Sequence, residues 1–210
     1  RYGGDLPVAG QFTGNLDNAG ERLVLLGRMR EPIHDFDYKD GWYPITDGLG
    51  FALQIVDANL PLQTLVDGTN TSTWGLKASW RPSGLVNGTP GTEDPGAPTI
   101  SVIYVNEALT HENPAGPNDA VELYNPNSFE VDLAGWFLTD SFNSPKKYRI
   151  PGGTIPAFGY RVFYESNSFG LGSQGFGLNV TGDDIYLFSG DANTNLTGYY
   201  HGFDFGAQAD

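Results

Sequence analysis

From Ile100 onward, apolar and polar residues alternate in short runs. "TISVIYVNEAL", "DAVELYNP", "VDLAGWFLTD", "KKYRI" and "GYRVFYE" are rich in Val, Ile, Tyr and Phe and are bounded by Gly, Pro, Asn or Asp. Period-two alternation broken by turn residues at intervals of roughly ten predicts successive antiparallel strands, the rhythm of a β-sandwich. The earlier part reads similarly but more sparsely. "ERLVLLG", "GLGFALQIVD" and "WGLKASWRPS" are strand-like, the last following a polar loop at residues 68–73. No segment sustains the i, i+3, i+4 spacing of an amphipathic helix, so the predicted fold class is all-β.

One pattern occurs twice. "LDNAGERLVLL" (residues 16–26) aligns with "LNVTGDDIYLF" (residues 178–188), pairing Leu16 with Leu178, Gly20 with Gly182, Leu23 with Ile185 and Leu25 with Leu187. Downstream, His34, Phe36, Asp37 and Tyr38 align with His201, Phe203, Asp204 and Phe205, after a longer turn at "GDANTNLTG". A change of length at a turn between strands that keep their alignment predicts a duplicated hairpin. Alternation puts each His on the face of its aromatic neighbours and each Asp on the other face. No nucleophile accompanies either His, so the repeated phrase reads as a packed strand rather than a His/Asp catalytic pair.

Between the two parts, "GTPGTEDPGAPT" is rich in Pro and Gly and has no periodicity. It reads as an interdomain linker, dividing the chain into residues 1–92, a linker at 93–99 and residues 100–210. After it, "VNEAL" (Val105 to Leu109), "DAVELYNP" (Asp119 to Pro126), "VDLAGWFLTD" (Val131 to Asp140) and "KKYRIPGGTIPAFGYRVF" (Lys146 to Phe163) follow in an order and spacing that resemble the lamin-tail domain in its bacterial form. The resemblance implies an immunoglobulin-like β-sandwich for residues 100–210. "GQFTGNLDNAGERLVLLG", "IHDFDYKDGWYPITDGLGFALQIVD" and "ASWRPSGLVNGTPG" resemble the closing strands of a preceding copy. The expected organisation is therefore immunoglobulin-like sandwiches in tandem, residues 1–92 being the C-terminal part of one and residues 100–210 a second lacking its closing strands. On this reading the chain is a window on a longer polypeptide, or a neighbouring subunit supplies the missing strands. The expected partners are further copies in a homo-oligomer or neighbouring domains of a longer chain, joined through exposed strand edges.

Composition sharpens the picture. The 29 Gly and 14 Pro suit a turn-rich β protein. A net charge of -14 repels phosphate backbones and anionic lipid, excluding nucleic acid as the expected partner. No apolar run reaches the roughly 18 residues of a membrane span, and membrane insertion is not expected. The chain has no cysteine, which removes disulfides, thiolate metal sites and a Cys nucleophile together. Four N-glycosylation sequons begin at Asn70, Asn87, Asn179 and Asn195, and they fit either an extracellular glycoprotein or simply an Asn- and Thr-rich composition.

Candidate chemistry is sparse. Asp191, Asn193 and Asn195 imitate the first ligands of a calcium loop, but Leu196 and Gly202 stand where that loop needs Gly and Glu. Glu107, Asp119 and Glu122 gather acid on the opening strands of residues 100–210, the alternative being solvent-facing or turn-bonding carboxylates. Calcium is thus the only cofactor with any candidate ligands, and none is expected to be required. "GLGSQGFG" leads into a strand and reads as a loop, not a phosphate cradle. Trp136 lies in a family strand and reads as core, whereas Trp42 and Trp74 flank polar or Gly-rich loops and are candidates for stacking on sugars. No catalytic motif is present, and the resemblance carries no catalytic residues. The expected function is a non-catalytic structural or adhesive module of a secreted or cell-surface bacterial protein, the subunit of an extracellular filament built by strand addition. The alternative is a carbohydrate-binding module appended to a larger secreted enzyme.

Overall fold

The computed structural model describes residues 10, 12–59, 62–64, 70–96, 98–110 and 119–207, with residues 62–64 and 70–72 described by backbone only. The described residues form strands and short 3-10 turns, and the chain divides into two compact units, Arg1–Ala97 and Pro98–Asp210.

Unit 1 contains three two-stranded antiparallel pairs: β1 (Arg22–Leu26) with β2 (Pro32–Asp37), β3 (Leu53–Ile55) with β6 (Trp80–Pro82), and β4 (Leu62–Thr64) with β5 (Asn70–Ser72). In the first hairpin Leu23 faces Phe36 and Leu25 faces His34. Its turn is closed by the Gly27 N–H donating to the Glu31 carbonyl at 2.8 Å, with Arg30 in the left-handed region at φ +65°. The small core contains Trp42, Ile45 and Phe51, the first two placed by consecutive 3-10 turns at Asp40–Trp42 and Pro44–Thr46. "WGLKASWRPS" begins as two further 3-10 turns, Thr73–Gly75 and Lys77–Ser79, before β6.

Asp94 ties the end of this unit down. Its carboxylate pairs with Arg81 at 2.7 Å and accepts from the Gly84 N–H, the Gly96 N–H and the Thr89 hydroxyl. Its side chain is only 4% exposed. Composition marks this stretch as linker, yet Asp94 within it is bonded into unit 1.

Unit 2 is a β-sandwich. One sheet has the order β11 (Tyr148–Arg149), β10 (Phe137–Thr139), β14 (Gly182–Gly190), β15 (Leu196–Gly206). The other has the order β13 (Tyr160–Tyr164), β8 (Ala120–Tyr124), β7 (Tyr104–Leu109), and β9 (Val131–Asp132) pairs with β12 (Thr154–Ile155). Alternation sends Val105, Val121, Leu123 and Phe163 inward from one sheet, and Leu138, Ile185 and Leu187 inward from the other. Trp136 is core, at 6% exposed. Unbroken periodicity predicts one strand for "VDLAGWFLTD", but the structure makes two. A turn at residues 133–136 is closed by the Trp136 N–H donating to the Leu133 carbonyl at 3.0 Å, and it moves the chain from β9 to β10. The Gly-rich loop before β14 is anchored by Phe169 and Phe176, whose rings stack at 4.9 Å against the core.

The β14–β15 hairpin pairs Ile185 with Phe203 and Leu187 with His201. These pairings match Leu23 with Phe36 and Leu25 with His34 in β1–β2, residue for residue in the sequence alignment of the two segments.

Candidate functional site

In unit 2 the two sheets are joined at one edge by side chains. Tyr199 and His201 lie two apart on β15 and so share a face. The Tyr199 hydroxyl donates to the Ile103 carbonyl at 2.6 Å, and His201 Nδ1 accepts from the Val105 N–H at 3.0 Å. Burial pushes the Tyr199 hydroxyl pKa up to about 12 and holds His201 below its ordinary value. Both shifts favour the neutral forms that these bonds require. His201 therefore closes an edge, in agreement with its reading as a packed strand residue.

The acids singled out as calcium candidates do not converge. Glu107 and Glu122 face each other across β7 and β8 on the outer side of the sheet, where Asn106 Nδ2 donates to Glu122 at 2.8 Å. Asp119 is odd-numbered on the same run and points the other way; its Oδ2 accepts from the Leu178 N–H at 2.5 Å. At the β14–β15 tip, Asp191 accepts from the Asn193 and Asn195 backbone N–H groups, both at 2.8 Å, and from Asn195 Nδ2 at 3.0 Å. The Asn195 side-chain bond is the main cause that holds the Asp191 carboxyl below the usual range. Asp191, Asn193 and Asn195 thus form a self-capped turn, in which the carboxylate accepts three hydrogen bonds from the loop itself. Among the described residues no group of three or more His, Cys, Asp or Glu is arranged to hold a metal ion.

Sequence reasoning passed over a second acidic pair. Asp184 and Asp204 face each other across β14 and β15. Burial first, then the charges of Asp204, Asp183 and Asp140, raise the Asp184 pKa. Asp140 is itself ion-paired with Lys147.

Trp42 is 9% exposed and packs beside Trp80, so the stacking reading is corrected for it: no sugar ring reaches a buried indole. Trp74 is half-buried, with one face stacked on His34 at 4.0 Å and with Phe36 and Trp80 against its edges. Of the sequon asparagines, Asn87, Asn179 and Asn195 are exposed, whereas the Asn70 side chain lies outside the described residues. Thr181 donates through both its N–H and its hydroxyl to Asn179 Oδ1, at 2.9 and 2.8 Å.

What remains open to a partner is apolar surface. On the β1–β2 hairpin Leu25 is 54% exposed, and Val24, Leu26 and Ile33 are also exposed. Beside it an open groove of about 540 Å³ is lined by Leu23, Phe36, Tyr38, Phe51, Leu53 and Trp80 among others. In unit 2 the aligned Leu187 is fully buried, covered by the facing sheet.

The family model described as Lamin Tail Domain matches residues 96–201, just over half of the 210-residue chain. Comparison with curated proteins and with solved structures returned no match. The match spans the strands from β7 to the His201 position of β15, and the all-β sandwich of unit 2 is the immunoglobulin-like, structural architecture of that family. The chain belongs to the lamin tail domain family.

Proposed function

We propose that this chain is a non-catalytic structural module of a secreted or cell-surface protein, and that it assembles with neighbours into an extracellular filament. One observation carries the reading: two hairpins share a register, yet Leu25 is 54% exposed where Leu187 is 0% exposed. An exposed apolar sheet face with unpaired edges is ordinarily managed by a partner that covers it. Burying the exposed half of such a leucine contributes about 1 kcal/mol, so a stable contact uses several of the exposed positions together. The partner is a neighbouring copy or an adjoining domain, and strand addition along the hairpin edge is the mode that fits a sheet. Three exposed sequon asparagines support an extracellular location.

Electron microscopy of native material, with sedimentation of the purified chain, tests this. Filaments or concentration-dependent growth in mass, weakened by Leu25→Glu, are expected. Dispersed particles whose mass is independent of concentration would overturn the assembly reading. Specific glycan retention lost in Trp74→Ala would favour a carbohydrate-binding role instead.

A further inference from the structure

We infer that the occupant of the outer face of the β13–β8–β7 sheet is the β1–β2 hairpin tip of a second copy of this chain. The inference rests on the self-assembly reading above and adds to it a further contact, made by the hairpin tip rather than by the hairpin edge.

The outer face of that sheet is a built surface. Tyr160 faces Tyr124, and Tyr124 faces Tyr104, making one row of three tyrosines across three strands. Tyr104 is 40% and Tyr160 is 56% exposed, and the Tyr124 and Tyr160 rings stack at 4.8 Å. In the next row Glu107 faces Glu122, which faces Val162. Two carboxylates directly opposite each other on a sheet repel. Among the described residues neither has an ion-pair partner, and no Lys or Arg stands in either row. Aromatic rings beside unpaired carboxylates suit a guanidinium, which stacks on tyrosine while it pairs with a carboxylate.

The chain presents such a group itself. It has only 11 Lys and Arg against 25 Asp and Glu, yet the β1–β2 turn reads Arg28-Met29-Arg30. All three residues are exposed, Met29 at 88%. Among the described residues neither arginine has an ion-pair partner. Arg30 occupies a left-handed position, φ +65°, where glycine or asparagine is the unstrained choice. A cationic side chain held at a strained turn is thus projected beside an exposed methionine, a residue suited to adaptable apolar contact. Tip and outer face belong to different units of the chain, so the contact joins two copies either reciprocally, as a pair, or head to tail from copy to copy.

The test uses the full chain in sedimentation equilibrium, with two variants: Arg28→Glu/Arg30→Glu and Glu107→Arg/Glu122→Arg. Arg28, Arg30 and Glu107 are exposed and Glu122 is half-buried, and far-ultraviolet circular dichroism checks that both variants fold. The wild type is expected to self-associate, less so as salt rises. Each variant alone brings like charges together and should weaken association at least about tenfold. An equimolar mixture restores opposite charges at both kinds of contact and should associate again. If the wild type associates but the mixture stays monomeric, this contact is overturned while the assembly reading stands. If the wild type is monomeric at every concentration, both fall. A monomeric wild type retained on an insoluble neutral glycan, with retention lost in Tyr160→Ala, would overturn the contact in favour of a sugar-binding face.

Discussion

His201 Nδ1 accepts a hydrogen bond from the Val105 N–H at 3.0 Å, so a side chain from one sheet satisfies the backbone at the edge of the other. Only a neutral imidazole can accept there, and burial lowers the His201 pKa below its ordinary 6.5. The unfolded chain therefore binds this proton at a higher pH than the native protein does. The stabilisation is complete above pH 6.5 and is lost as pH falls from there through the lowered folded value. Urea unfolding between pH 7.5 and 5 should show this slope. His201→Asn keeps an acceptor near the Nδ1 position but does not titrate, and should flatten it. An unchanged slope in that variant would assign the pH dependence elsewhere.

Tyr199 makes the companion bond, donating to the carbonyl of fully buried Ile103 at 2.6 Å. Tyr199→Phe retains the ring, which packs 5.8 Å from Trp136, and removes only the hydroxyl. The expected cost is about 1–2 kcal/mol, because a carbonyl inside the sandwich loses its donor. Chemical denaturation of the variant and the wild type measures it. A change within error would mean that water replaces the hydroxyl.

Asn125 is fully buried and ties the loop that follows β8 to the end of β12. Its Nδ2 donates to the carbonyls of Phe129, Ile155 and Pro156 at 2.8–3.0 Å, and its Oδ1 accepts from the Asn127 N–H at 2.9 Å and from Asn127 Nδ2 at 2.7 Å. Asn125→Ala leaves these groups unpaired and should cost about 2–4 kcal/mol. Asn125→Asp should be worse, since it sets a carboxylate oxygen against the three carbonyls. Thermal unfolding would rank the two, and an Asp variant as stable as the wild type would contradict the amide orientation.

The legible parts were those whose signal is local. Alternation marked the strands that bury Val121, Leu123, Ile185 and Leu187, and the repeated phrase aligned two hairpins that pair in one register. What depends on a distant partner was not legible. Asp94 looks like linker because its bonds run to Arg81, Gly84 and Thr89, which no window around it contains together. Trp42 looked accessible beside its Gly-rich loop, but a 3-10 turn rolls it into the core. The row Tyr104–Tyr124–Tyr160 needs the order of three strands, which periodicity within each strand does not reveal.

Asp94 gives a prediction for unit 1. Burial by itself would raise its pKa, but Arg81, Gly84, Gly96 and Thr89 together outweigh it, and the carboxyl is held below its ordinary 3.8. The stability it contributes is present above pH 3.8 and is lost as pH falls from there through the lowered folded value. Asp94→Ala should cost about 1–3 kcal/mol at neutral pH by removing the ion-pair partner of Arg81 and the acceptor of the Gly84 N–H. Three of the four tryptophans, Trp42, Trp74 and Trp80, lie in unit 1, so fluorescence-detected unfolding reports chiefly on it. An unshifted fluorescence midpoint would show that the segment is not held as described.

Gly135 decides where the chain leaves one sheet for the other. Its φ of +86° lies in the left-handed region, and a Cβ built there would stand 2.5 Å from the Asp191 carbonyl oxygen. Two penalties therefore act together at this turn. Left-handed backbone disfavours any Cβ by roughly 1–2 kcal/mol, and the contact is with backbone, which cannot rotate away. Gly135→Ala should destabilise unit 2 by about 2–4 kcal/mol, and asparagine, which tolerates the dihedral, should fare no better because the clash remains. Hydrogen exchange separates this outcome from simple strain. Loss of protection should extend to β10 and to the β14–β15 tip, whose carbonyl must retreat. Loss confined to residues 133–136 would mean that the turn yields alone and the tip does not depend on it.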